Sequence, residues 1–157
     1  MLFLLSKMEA NNSISEKIEI YICARNLKDA DVFTKSDPYV KVSYKRDFTQ
    51  KHYTILGKTE TKQNNLNPDY AKSFAIDYIF ESRQDIRFDV FDDDGNGDED
   101  DFIGYVETTV GSLMGARSQT SILELKNDKN KGANGKLVIR CEKLTDSNCK
   151  TCVIQSS

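Results

Sequence analysis

Long apolar runs are missing from this chain of 157 residues. None approaches the ~18 residues of a membrane-spanning helix. The opening Met-Leu-Phe-Leu-Leu also falls short of the ~7 to 15 apolar residues of a secretion signal. An intracellular protein is expected, with residues 1–16 a mobile leader. Histidine is scarce: His52 stands alone, far along the chain from the acidic cluster. No nucleophile is paired with a base, and the Ser36-Asp37 dipeptide without a histidine is not an activated one. An enzyme is therefore not expected. Basic excess is lacking as well. With a net charge of −3 and no nucleic-acid motif, no nucleic-acid partner is expected.

Cysteine is sparse, at four residues. Cys149 and Cys152 form a lone C-x-x-C with no second half, which argues against zinc or redox work. Cys152-Val-Ile-Gln resembles a prenylation box, but two serines follow it and the signal must be terminal. Cys23 and Cys141 lie inside alternating apolar segments and are read as structural thiols.

What is present fits one globular domain, with 38% hydrophobic and 30% charged residues. A chain of this length buries roughly two thirds of its unfolded surface, enough for a real core. Period-2 alternation predominates. Lys17–Asn26 puts Ile18, Ile20, Ile22 and Ala24 on one face, and 39–45 repeats the pattern with Val40, Val42 and Tyr44. Further strands are expected over 53–62, 73–80, 86–91, 102–110, 122–125 and 136–144. No long amphipathic helix is expected. Turn formers separate the strands: Asn64-Asn65-Leu66-Asn67-Pro68-Asp69, residues 92–98, and 126–135. Many short strands at this spacing predict an all-β, antiparallel sandwich of eight strands.

Charge is unevenly placed. Seven carboxylates crowd between Asp92 and Asp101, and setting them aside leaves 18 of the 25 acids against 22 bases. One negative spot on a mildly basic body argues for a cation at the spot and an anionic surface as partner. Asp92-x-Asp94-x-Asn96-Gly97 fits the first half of an EF-hand loop. The loop's final ligand position holds Ile103, and both flanks have strand rather than helix periodicity. The EF-hand fails on both counts. The plain alternative is a solvated acidic loop. A second acidic segment, Asp31 to Asp37, also lies between two predicted strands. If both segments are loops at one end of a sandwich, their carboxylates converge. One such pair at ~5 Å costs about 3 kcal/mol at an effective dielectric of ~20. A hard divalent ion with oxygen ligands removes that cost, and calcium tolerates looser geometry than magnesium.

Asn26-Leu27 with Asp31, Ser36-Asp37-Pro38-Tyr39, Asn67-Pro68, and Val90-Phe91-Asp92-x-Asp94 with Asp101-Phe102-Ile103-Gly104 together resemble a C2 domain. The resemblance spans residues 17 to 144. Within that family, Phe74 to Gly95 is most similar to the first C2 domain of copines. The resemblance implies an eight-stranded sandwich of type II topology, with 17–145 as the C2 domain and 146–157 as a C-terminal tail, which resembles the run into a second C2 domain and fits the end of a stand-alone one equally. It implies Ca²⁺ as cofactor, with side-chain ligands Asp31, Asp37, Asp92, Asp94 and Asp101. Backbone carbonyls of Ala30 and Asp93 would be accessory ligands. The spacing from Asp92 to Asp101 is one residue longer than usual, so Asp100 is an alternative to Asp101 and Asp98 a further ligand candidate.

The implied function is calcium-dependent binding to anionic phospholipid, with the protein cytoplasmic and peripheral at membranes when calcium rises. The alternative is an adaptor that binds target proteins and uses calcium structurally. Val32 and Phe33, at the tip of the first acidic loop, are candidates for insertion into the membrane interface. Lys41, Lys45 and Arg46, with Lys51, His52, Lys58 and Lys62 nearby in sequence, form a second candidate lipid-binding surface. A solvated outer face is the competing reading of that cluster.

Overall fold

A computed structural model describes residues 14–29, 33–95, 97 and 99–145. Eight strands follow in order: β1 Ser15–Arg25, β2 Pro38–Tyr44, β3 Thr54–Lys58, β4 Phe74–Ile79, β5 Asp85–Asp92, β6 Asp101–Thr109, β7 Thr120–Glu124 and β8 Lys136–Lys143. A short helix, α1 at Val110–Gly115, and a 3-10 turn at Arg117–Gln119 lie between β6 and β7. Two four-stranded sheets are ordered β4-β1-β8-β7 and β3-β2-β5-β6. Every pairing is antiparallel. The eight expected strands are all present, and β1 starts inside the segment expected to be a leader, at Ser15.

The core follows from alternation. Ile18, Ile20, Ile22 and Ala24 of β1 join Leu137, Ile139 and Cys141 of β8 on the inner face of one sheet. Val40, Val42, Ile86, Phe88, Val90 and Val106 face them from the other. Each large side chain removed from water in this way contributes about 1.5–3 kcal/mol. Cys141 is buried as expected of a structural thiol, but Cys23 points the other way and is only half-buried. Residues 22 and 24 take the inward places on either side of it. Tyr44 is partly buried against the core.

Two departures from strict alternation shape the ends. The β5–β6 register shifts beside Val90 and Phe91: Val90 pairs with Gly104 and Phe91 with Phe102. This irregularity lets Ile103 and Val106 both turn inward. The strand expected to reach Val110 instead stops at Thr109, whose hydroxyl accepts from the Ser112 N–H and caps α1. Val110 and Leu113 of that short helix are buried against the sandwich. Gln84, also buried, donates to the Asp77 carbonyl (2.8 Å) and accepts from the Ile79 N–H (2.9 Å). Its own carbonyl receives the Val110 N–H at 2.9 Å. One side chain thus stitches the β4–β5 turn, and its main chain holds the start of α1.

Candidate functional site: the acidic end of the sandwich

β2 begins where β5 ends and β6 begins. Pro38 is paired with Asp92, and Asp92 with Asp101. This register brings Asp37, Asp92, Asp93 and Asp101 to one sheet end, although 55 positions separate Asp37 from Asp92. The Asp37 N–H donates to Asp92 Oδ1 at 2.7 Å. The Asp93 N–H donates to the Asp37 carbonyl at 3.0 Å. Asp92 is only 1% exposed, a buried carboxylate at the floor of this end.

The remaining acids have distinct settings. Asp37 Oδ1 accepts from the Asn64 N–H (2.6 Å), which ties the β1–β2 loop to the β3–β4 loop. Asp93 accepts from the Thr61 hydroxyl (2.9 Å) and the Gly95 N–H (3.1 Å). Asp100 accepts from the Tyr39 hydroxyl at 2.6 Å and from the Asp94 N–H at 3.3 Å. Burial, and then this hydrogen bond to Asp100, push the Tyr39 phenol well above its ordinary pKa, so it stays a donor. Asp101 opens β6 and is exposed. Among the described residues, Asp37, Asp93, Asp100 and Asp101 form no ion pair with lysine or arginine. The donor set is all oxygen, which is the chemistry of a hard cation such as Ca²⁺.

Ala30, Asp31, Val32 and Asp98 lie outside the described residues. Among those described, no three His, Cys, Asp or Glu side chains come together closely enough to hold a metal ion. Phe33 projects from its loop with 98% of its surface exposed and does not fold back onto the sandwich.

Two further features position the site. Asp29 accepts from the Ser36 N–H (3.2 Å) and hydroxyl (3.4 Å), which closes the base of the β1–β2 loop. Asn67 accepts from the Asn26 N–H (2.8 Å), while the Pro68 carbonyl accepts from the Ala24 N–H (2.9 Å). The Asn67-Pro68 pair therefore fixes the end of β1, from which the acidic loop departs.

The basic candidates have distinct settings. Lys41 pairs across the ladder with Lys58. Their ammonium groups lie over the Phe91 ring (5.1 Å) and the Tyr39 ring (5.2 Å). Tyr39, Phe91, Phe102 and Tyr105 run across β2, β5 and β6 with successive centroids 5.5, 5.4 and 6.3 Å apart. Aromatics on three separate strands were the available signal for this row, with Phe102 and Tyr105 three positions apart on β6. Lys45 instead packs on Tyr53 at 4.8 Å and faces Asp85 at 4.0 Å. Arg46 lies beyond the end of β2 remote from Asp37, lining a cleft with Ser15, Asp77 and Ile79.

Comparison with known proteins matches this geometry to a family. Residues 17–125 match the C2 domain family. The chain is 37% identical to Copine-A of Dictyostelium discoideum over 125 residues, and 38% identical to Copine-E of the same organism over 127. Those alignments cover 80% and 78% of this chain but only 20% and 22% of the relatives, so the chain spans about a fifth of their length. In structure, it resembles the C2 domain designated A of plant Extended Synaptotagmin 1, with a TM-score of 0.61 and 21% identity over 83% of this chain and 96% of that one. It also resembles the paired C2 domains, A and B, of Extended-Synaptotagmin 2, solved with calcium bound, at a TM-score of 0.62 and 21% identity over 89% and 51% of the two chains. An all-antiparallel sandwich that gathers acidic loops at one end, matched over residues 17–125, makes this chain a member of the C2 domain family.

Proposed function

We propose that residues 17–145 form a calcium-dependent phospholipid-binding module that recruits its chain to anionic membranes from the cytoplasmic side. The observation that carries this reading is the acidic sheet end itself. The Asp37 N–H, just before β2, donates to the Asp92 carboxylate at the end of β5, and no lysine or arginine among the described residues pairs with Asp37, Asp93, Asp100 or Asp101. Side chains of Asp31, Asp37, Asp92, Asp94 and Asp101 would hold Ca²⁺, helped by the carbonyls of Ala30 and Asp93 and by Asp98. Asp100, already engaged by Tyr39 and the Asp94 N–H, is assigned to positioning the β5–β6 loop rather than to direct ligation.

Bound calcium would supply positive charge and open coordination positions for lipid phosphate or carboxylate oxygens. The protein's part is orientation. Asp92 is held at the floor by the Asp37 N–H, and Asp93 is braced by Thr61. Phe33, fully outside the sandwich, would enter the interface beside Val32. Without lipid, affinity for calcium should be weak, ~10⁻⁶ to 10⁻⁴ M. Lipid and ion then strengthen each other reciprocally.

The test is vesicle sedimentation with and without Ca²⁺, comparing the native chain with Asp92→Asn plus Asp94→Asn. The double variant is expected to lose calcium-dependent binding to phosphatidylserine vesicles. Unchanged binding would overturn the ligand assignment. Retained calorimetric calcium binding by the native chain, with no vesicle binding at all, would favour an adaptor with a structural ion.

A further inference from the structure

The loop between β7 and β8, residues 125–135, lies at the same end as the acidic loops. β8 begins opposite the last residue of β1, with Lys136 paired to Arg25. Composition marks this stretch only as a turn. Its hydrogen bonds make it a built platform. Asn127 Nδ2 donates to the Ile103 carbonyl at 3.0 Å, and the Asn127 carboxamide oxygen accepts from the Lys129 N–H at 3.0 Å. Asn130 donates to Asn134 Oδ1 at 2.9 Å, and buried Asn134 donates to the carbonyls of Asn130 and Gly132 at 3.2 and 3.0 Å. Three further bonds fasten the loop to its surroundings. The Lys28 N–H donates to the Asn134 carbonyl (3.2 Å), and Tyr105 and Lys126 exchange main-chain bonds at 2.8 and 2.9 Å.

With the asparagines spent on holding the backbone, lysines are what the loop presents. Lys126, Lys129 and Lys131 are exposed, Lys136 is partly so, and Lys28 stands exposed across the junction. Among the described residues none of these five forms an ion pair. The carboxylates nearby are Glu124, paired across the β7–β8 ladder with Lys136, Asp128, which accepts weakly from Tyr105 (3.4 Å), and Asp29, turned to Ser36. A cleft of about 270 Å³, lined by Lys28, Asp29, Phe102, Ile103, Asn127 and Asn130, lies where the β7–β8 loop meets the β1–β2 loop and the start of β6. One end of the molecule therefore carries both signs of charge side by side.

We propose that the β7–β8 loop is a second, calcium-independent contact for the anionic lipid surface, beside the acidic loops. The proposal rests on reading that end as membrane-facing. The partner chemistry follows from the side chains. Lysines are flexible point charges that meet many headgroup phosphates without the fixed fork of arginine. The loop has no aromatic residue on which a base could stack, and exposed Phe33 at the same end favours a surface with an apolar interior. Before calcium binds, the acidic loops repel the bilayer and the lysines hold it weakly. Once the acids are neutralised, both contacts act together.

The experiment uses the full chain with vesicles of phosphatidylcholine plus phosphatidylserine, against pure phosphatidylcholine. The variants are Lys126→Gln/Lys129→Gln/Lys131→Gln and, on the other basic face, Lys41→Gln/Lys58→Gln. The triple variant should keep its melting temperature and its lipid-free calcium affinity. It should lose the calcium-free binding seen at low salt. Its affinity with calcium saturating should fall on the order of 100-fold, about fivefold per lysine. Undiminished binding by the triple variant overturns the proposal, as does a loss confined to the Lys41/Lys58 variant. If the loop fails while Asp92→Asn/Asp94→Asn still abolishes calcium-dependent binding, the acidic reading stands alone. A native chain that binds no vesicle defeats both, and binding of the lysines to a single-stranded oligonucleotide with no vesicle effect assigns the loop to another partner.

Discussion

Gly104 illustrates how much one missing atom can position. A Cβ there would lie 2.8 Å from the Lys126 carbonyl oxygen and 3.1 Å from Leu125 Cβ. Its absence lets residue 126 cross β6 closely enough for the paired Tyr105–Lys126 bonds. Gly104→Ala is expected to cost about 1–3 kcal/mol through overpacking. That should lower the melting temperature by about 3 °C per kcal/mol, and calorimetry would read the shift. Gly135 plays the matching role on the other side, at φ +100°, with the Asn26 carbonyl oxygen 2.7 Å from where a Cβ would stand. Cys141 offers a pH handle. Burial pushes its thiol up to about 11. The folded state therefore keeps a proton that the unfolded chain releases near pH 9, and stability falls between roughly pH 9 and 11. Cys141's share of that decline is about 2 kcal/mol. Urea unfolding of Cys141→Ala across this window should show a flatter slope than the native chain.

At the scale of elements, strands were legible because burial on one face leaves a period of two in the side chains. β1, β2 and β8 follow it almost without exception. The end of β6 was not legible. Val110 continues the alternation, but Thr109 can cap and Gln84 supplies a carbonyl for the next N–H, so the chain turns into α1. That outcome depends on a residue far upstream, beyond any local pattern. Gln84→Met keeps the volume but leaves the Ile79 N–H and the Asp77 carbonyl without their partner. A loss of about 1–3 kcal/mol is expected, seen as a lower urea midpoint at unchanged m-value.

Across the whole molecule, the acids of the site were visible as composition, whereas their neighbours came from register. Nothing local tells that Tyr39 reaches Asp100, 61 positions away, or that Asp37 lends its N–H to Asp92. Period-2 spacing put Lys41 and Lys45 on one outward face, and they stand opposite Asp89 and Asp85, alternate positions of one face of β5. Arg46, past the end of β2, instead lines a cleft with Ser15, Asp77 and Ile79. Charge of both signs at the acidic end predicts strong salt dependence. Raising ionic strength from ~0.1 to ~1 M shortens the screening length from ~10 to ~3 Å. Vesicle binding should weaken markedly over that range, whereas binding driven by Phe33 insertion alone would barely change. Phe33→Ser separates these contributions: it should speed dissociation in stopped-flow measurements and leave the salt slope intact.

The pairing of the first strand with the last has a mechanical consequence. β1 and β8 are antiparallel neighbours, with Ile18 beside Lys143 and the Leu144 N–H donating to the Lys17 carbonyl at 2.9 Å. Tension applied through the two ends of the domain would load this ladder from one side and open its bonds one after another, as a zipper yields. Shear, which must break many bonds at once, does not arise in that geometry. Traction between the acidic loops and either terminus runs along the strands instead. A domain held at the bilayer by its loops should therefore withstand more pulling force in an optical trap than the same domain stretched between its own ends.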